Sequence, residues 1–298
     1  MKIECRVPLR IDLAGGWSDI PPFARREGGA VLNVAITQYV TGAVERNAGR
    51  DGVGLRVSYG LDLPAGAGLG SSAALSVAWL ALVHVNMGAT LDQAALAREA
   101  CDVAAVLGIA GGKQDEYAAA VGGVNLMRFG GVGGAEVTVE PLELAAPVRE
   151  ELEARLVLCY GGQARLSGDI HDRVWGAYER GDREVGATLG ELRDTAIAMA
   201  AALTAGDFAR VAALIDRNWA AQRRLHPSIT NDRVDDLFGV ARGSGALAGK
   251  ACGAGGGGCL VFLAEPARVP ALRGALQDAG ARLIDARIDG DGVVVART

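Results

Sequence analysis

The chain has 298 residues, of which 50% are hydrophobic and 22% charged, the composition of a globular chain rather than a disordered one. That length allows one large domain or two packed lobes. With 30 basic and 35 acidic residues the net charge is -5, and the absence of any dense Lys/Arg tract argues against a nucleic-acid reader.

In chain order, Ile3–Leu13 mixes apolar and charged residues in near alternation and predicts a half-buried strand. Residues 30–44 and 53–61 predict two more strands. Asp62-Leu-Pro ends that pattern, and a glycine loop leads into a helix over Ala73–Val85. A second helix is predicted over Leu91–Leu107, started by Thr90 or Asp92 and stopped by Gly108. Strands return at 123–129 and 135–141, and a short buried strand follows at Leu156–Tyr160. Three helical segments between 167 and 225 are broken at Gly181-Asp182 and Gly206-Asp207, and Asp232–Ala241 continues them. A glycine run, a strand at Cys259–Ala264, a helix at 270–279 and terminal strands complete the chain. Strands do not alternate strictly with helices, so an α+β fold is expected. The change of character near residue 150 suggests lobes at 1–152 and 153–298.

Cys5, Cys101, Cys159, Cys252 and Cys259 form no CxxC pair and read as buried thiols, with neither a disulfide framework nor a zinc site. The start, Met1-Lys-Ile-Glu-Cys-Arg, is charged where a leader needs an apolar core, and the most apolar stretch, Ala73–Val83, is too short to span a bilayer; a cytoplasmic protein is expected. His84 reads as a packed core residue on its apolar helix, and no catalytic role falls to His84, His171 or His226.

Glycine is the outlier: 43 of 298 residues is about 14%, twice the usual ~7%. The sharpest cluster is Pro64-Ala-Gly-Ala-Gly-Leu-Gly-Ser-Ser-Ala-Ala74, with Gly66, Gly68 and Gly70 spaced every second residue before a helix. Such glycines let backbone approach a ligand. The unpaired N–H groups and positive dipole of the helix start then form a cradle for a polyphosphate. Ser71 and Ser72 add hydroxyls that suit phosphate, a divalent ion or plain capping. The loop is not a Walker A sequence, which requires Gly-Lys-[Ser/Thr], and it fits the dinucleotide fingerprint poorly.

The segment PAGAGLGSSAA resembles the phosphate loop of the GHMP kinases. Pro8-Leu-Arg-Ile-Asp-Leu-Ala-Gly-Gly-Trp-Ser-Asp-Ile-Pro-Pro22 resembles the family's first motif in the form L-fucokinases use. Lys250-Ala-Cys-Gly-Ala-Gly-Gly-Gly-Gly-Cys259 resembles the third motif. Gly111-Gly-Lys-Gln-Asp-Glu-Tyr-Ala-Ala119 resembles the segment of heptose 7-phosphate kinases that carries the catalytic aspartate. The four segments occur in order across almost the whole chain. The resemblance implies a two-lobed fold, with a mixed-sheet lobe carrying the phosphate loop and a ferredoxin-like C-terminal lobe. It further implies a kinase that uses ATP and Mg²⁺ to phosphorylate the anomeric hydroxyl of a sugar or sugar phosphate, as a monomer or homodimer.

By this resemblance Asp115 is the catalytic carboxylate and Arg10 steadies the acceptor oxygen beside it. The nucleotide falls to Pro64, Gly66, Gly68, Leu69, Gly70, Ser71, Ser72 and Ala73. The acceptor falls to Gly16, Trp17, Ser18, Asp19, Lys113, Arg165, Gly255 and Gly256. Related kinases place a metal carboxylate about a dozen positions before the catalytic aspartate, which here is Val103. Asp102 beside it is preferred over Glu99 as partner to Ser72. Three other readings stay open. One is a free sugar as acceptor, another is a different small alcohol such as an isoprenoid precursor, and the last is a nucleotide-binding regulator that has lost turnover.

Overall fold

The computed structural model describes residues 2–49, 52–61, 63–64, 66–109, 111–130, 137–162 and 168–297. The first strand, β1 (Lys2–Ala14), begins with the predicted alternation: Ile3, Cys5 and Val7 are buried while Arg6 faces out. From Val7 onward every residue is buried, because helices cover that part of the sheet. A short helix, α1 (Pro21–Glu27), leads to the long strand β2 (Gly29–Gly49). β2 pairs antiparallel with β1, with β3 (Gly52–Leu61) and with β4 (Val124–Phe129), while β4 pairs with β5 (Val137–Pro141). Between β3 and β4 lie α2 (Ser71–Asn86), α3 (Gln93–Val106) and α4 (Gln114–Val121). Both α2 and α4 pack on β1 and β2.

The second half opens with α5 (Ala146–Arg155) and β6 (Leu156–Tyr160). The helices α6 (Gly168–Glu179), α7 (Arg183–Thr204) and α8 (Phe208–Leu225) follow. The predicted breaks have a local cause. Gly181 and Gly206 take positive φ (83° and 69°) at the end of one helix, and the aspartate after each caps the next. Asp182 accepts from the amides of Glu184 and Val185, and Asp207 from that of Arg210. Each such cap contributes about 0.5–2 kcal/mol. The remainder is α9 (Asp232–Gly243), β7 (Ala246–Ala251), β8 (Cys259–Ala264), α10 (Val269–Asp278), β9 (Arg282–Ile284) and β10 (Val294–Arg297).

The second sheet has the order β7-β8-β6-β9, all antiparallel. Numbered within the lobe this is 2-3-1-4, the ferredoxin-like order the motifs implied. The 152/153 point suggested by the change of character falls inside α5. β10 returns to pair with β1, register Ile3↔Arg297 to Arg6↔Val294. The buried core runs without a break from β1 and β2 through Ala196–Leu203 of α7 to Cys259, Val261 and Ile284. All five cysteines are buried and free. His84 departs from expectation. It is partly exposed at the end of α2 and bonds Glu99 of α3 at 2.8 Å.

Candidate active site

A cavity of about 430 Å³ lies where three loops meet: the turn after β1, the glycine loop before α2, and the glycine run between β7 and β8. The start of α4 closes one wall. Each boundary follows from a local conformational demand.

The glycine loop alternates handedness. Gly66, Gly68 and Gly70 have φ of 75°, 82° and 76°, which side chains other than glycine's rarely adopt. Alternation of this kind is the backbone form in which successive N–H groups can make an anion-binding concavity. Gly70 ends the loop as the N-cap of α2 and brings no side-chain cap, so the first amides of the helix are left for a ligand. Gly66, Gly68, Gly70, Ser71, Ser72 and Ala73 all line the cavity.

The third motif holds that loop in shape. A Cβ on Gly68 would lie 2.6 Å from the Cys252 carbonyl oxygen, and one on Gly258 would lie 2.7 Å from the Ala67 carbonyl oxygen. The Cys259 amide donates to Ala67 O at 2.8 Å. This is close backbone packing rather than a linker.

Arg10 and Asp115 face each other over the loop. Arg10 Nε donates to Asp115 Oδ1 at 2.8 Å, and a second guanidinium N–H reaches the same oxygen at 2.6 Å. The remaining end donates to Gly68 O at 2.6 Å. Burial alone would lower the Arg10 guanidinium, but Asp115 and Asp12 outweigh it and hold the group above its ordinary value. The Asp115 carboxyl sits 3.4 Å from where a Cβ on Gly70 would stand, beside the open end of α2.

Asp12, two residues after Arg10 on β1, has a different partner. It is fully buried and pairs with the equally buried Lys250, Nζ to Oδ2 at 2.6 Å, while its Oδ1 accepts from the Gly253 amide at 2.8 Å. The pair fastens the first motif to the third. The reading from sequence missed it, although a lysine and an aspartate in otherwise apolar strands were a visible signal.

Asp19 lines the cavity and accepts from the Gln114 amide at 3.2 Å. Its burial, then the nearby Asp115, raise its carboxyl to about 7. Glu116, next to Asp115, is raised to about 8 by burial and by Asp115. Trp17 is the one described non-glycine residue at positive φ (81°). Such a backbone costs about 1–3 kcal/mol and persists where the surroundings enforce it. Its ring packs on His171, centroids 4.7 Å apart, and both residues line the cavity. The indole Nε1 of Trp17 and Nδ1 of His171 are buried without a hydrogen-bond partner. Burial lowers the His171 pKa. Sequence reading gave His171 no role because nothing in its helix marks it.

The structure therefore brings together Arg10, Gly16, Trp17, Asp19, the loop glycines, Ser71, Ser72, Ala73, Asp115 and Gly255. Other expected residues lie elsewhere. Ser18 is buried in the turn, donating to Gly15 O and Ala30 O. The Leu69 side chain is in the core, and Pro64 is exposed. Gly256 packs against Ser228 O. Lys113 lines a small crevice with Arg25 and with Asp19, which it shares with the main cavity. Asp102 is exposed. The α3 residue in the cavity wall is Ala104, and two positions on a helix of 3.6 residues per turn are about 200° apart. Glu99 is held by His84. Arg165 lies outside the described residues.

Two family models match the chain, GHMP kinases N terminal domain over residues 36–123 and GHMP kinases C terminal over residues 199–282. The D-glycero-alpha-D-manno-heptose 7-phosphate kinase of Campylobacter jejuni is 29% identical, over 93% of this chain and 95% of its own length. A bifunctional fucokinase/GDP-fucose pyrophosphorylase of Arabidopsis thaliana is 26% identical over 93% of this chain, which spans 31% of that longer protein. The crystal structure of a D-glycero-D-manno-heptose 1-phosphate kinase from Bacteroides thetaiotaomicron superposes with a TM-score of 0.80 at 25% identity, covering 99% of each chain.

Proposed function

Because the chain belongs to the GHMP kinase family, we propose that it is an ATP-dependent sugar kinase that phosphorylates the anomeric hydroxyl of a heptose 7-phosphate. The observation that carries the reading is the Arg10–Asp115 pair set over the open start of α2. The end-to-end likeness to a heptose 7-phosphate kinase narrows the acceptor.

Phosphoryl transfer needs an in-line arrangement and stabilised charge more than covalent chemistry from the protein. The glycine loop and the first amides of α2 hold the triphosphate. Asp115 accepts a hydrogen bond from the anomeric hydroxyl, aligns its oxygen on the γ-phosphorus and takes the proton as the new O–P bond forms and the bond from the γ-phosphorus to the β,γ-bridging oxygen breaks, releasing ADP. Arg10 keeps Asp115 in place and lends positive charge to the phosphoryl group in flight. Asp19 and Trp17, which also line the cavity, suit an acceptor with several hydroxyls. Lys113 and Arg25, which share a crevice with Asp19, supply positive charge for a phosphate the acceptor already carries.

The test is ADP release over a panel of heptose 7-phosphate, L-fucose, D-mannose and mevalonate, with the product's phosphate position fixed by NMR. Turnover is expected with the heptose phosphate, giving the 1,7-bisphosphate. Preference for free L-fucose would move the chain to the fucokinase reading, and nucleotide binding without turnover on any acceptor would make it a regulator.

Gly112 offers a sharper check on the acceptor wall. A Cβ there would lie 1.7 Å from Asp19 Oδ2, so Gly112→Ala must displace Asp19. Since a 1 Å misplacement can cost about 10²-fold, kcat/KM for the sugar should fall by about that factor with nucleotide affinity unchanged. Normal sugar kinetics in this variant would remove Asp19 from the acceptor site.

A further inference from the structure

The cavity wall holds three acidic side chains, Asp19, Asp115 and Glu116, and Arg10 is its only Lys or Arg among the described residues. A nucleotide triphosphate entering beside them adds more negative charge in a partly buried space, where like charges repel strongly. A divalent ion balances that charge. Mg²⁺ takes only one or two protein oxygens and completes its shell with phosphates and water. That fits a site in which no group of three or more His, Cys, Asp or Glu residues gathers, among the described residues, to hold a metal.

The carboxylates are not equivalent. Asp115 is bound by Arg10. Asp19 is tied to the Gln114 amide on the acceptor wall. Glu116 is only 7% exposed, and its Oε2 has no hydrogen-bond partner. A buried carboxylate oxygen left unpaired is costly unless a ligand completes it. The direction of the side chain follows from the helix. Gln114 lies beside Gly16 of the first motif, and Glu116, two residues on, projects about 200° away around α4, towards α2 and α3, against which α4 packs. On α3 the cavity-lining position is Ala104, which has no ligating atom.

Resting on the kinase reading above, we propose that Glu116, with Ser72 at the start of α2, is the carboxylate that faces the divalent ion of the bound nucleotide. The α3 carboxylates Asp102 and Glu99 take no part. The ion screens the phosphates, while Glu116 fixes its position relative to Asp115.

The experiment measures binding rather than turnover. Calorimetric titration with the β,γ-imido analogue of ATP, in Mg²⁺ and in EDTA, gives the affinity gained from the metal. Loss of even an outer-shell partner weakens metal sites about 10–100-fold. Glu116→Gln should therefore shrink the metal-linked gain at least about tenfold while binding the metal-free analogue as well as the wild type does. Glu116→Asp, which keeps the charge on a shorter arm, should fall between. Asp102→Asn should keep the full gain. Thermal melting in EDTA should find Glu116→Gln close to the wild type, since the amide is isosteric and Oε2 has no hydrogen bond to lose; a purely structural glutamate would melt lower. A full metal-linked gain in Glu116→Gln, or its loss in Asp102→Asn, overturns the proposal. Failure of the wild type to bind the analogue at all would instead overturn the kinase reading.

Discussion

Asp115→Asn is expected to lower kcat by about 10²–10⁴-fold, the range that a positioned acid or base contributes, with the KM for nucleotide near the wild-type value. Asparagine still offers Arg10 an oxygen in place of Oδ1, so the guanidinium keeps a partner and the glycine loop keeps its Arg10–Gly68 bond of 2.6 Å. What the variant loses is the charge and basicity presented to the acceptor hydroxyl. Steady-state kinetics with both substrates varied, and a melting curve to confirm the fold, check this. A near-normal rate would remove Asp115 from its role. A collapse of nucleotide affinity with a normal kcat would make it a scaffold for the loop. The transition state of phosphoryl transfer is largely dissociative, so a loss near the lower end of the range would mean that Asp115 mainly orients the hydroxyl, and a loss near the upper end that it also takes the proton.

The site was legible where its chemistry depends on backbone. Gly66, Gly68 and Gly70 announce a loop of positive φ before a helix, and all three adopt it. The helix breaks at Gly181-Asp182 and Gly206-Asp207 were legible for the same reason, since a left-handed stop and a capping aspartate are both local requirements. Among the helices the chain-order pattern does not predict, α1 (Pro21–Glu27) and α5 (Ala146–Arg155) are short, and each has proline in its first turn. They rest on tertiary contacts more than on pattern. Side-chain direction was the hardest to read. Ser18 sits between two site residues in the sequence, yet its hydroxyl is spent locking the turn. Asp102 is adjacent to the expected metal position and points away from it. Nothing in the sequence singles out Glu116 beside Asp115, and only packing shows that one of its oxygens is buried without a partner.

Lys250→Met should be among the most damaging single changes outside the cavity wall. Lys250 and Asp12 are both fully buried, and removing one member of a buried pair costs about 3–5 kcal/mol, because the other is left as an uncompensated charge. The residues stand 238 positions apart, and between them they hold the end of β1, the Gly253 amide and the turn at Gly16, whose Cβ would stand 2.5 Å from Asp12 Oδ2. The double variant Asp12→Asn/Lys250→Met removes the stranded charge and keeps an oxygen for the Gly253 amide. It should therefore be more stable than Lys250→Met alone, by urea unfolding with an unchanged m value. Strict additivity of the two changes, or a Lys250→Met protein as stable as the wild type, would refute this account. Nucleotide affinity in the double variant separates two roles for the pair. Asp12 also raises the Arg10 guanidinium, so a stable double variant with weakened nucleotide binding would mean that the pair tunes the loop's cation. Normal binding would limit it to joining the first motif to the third.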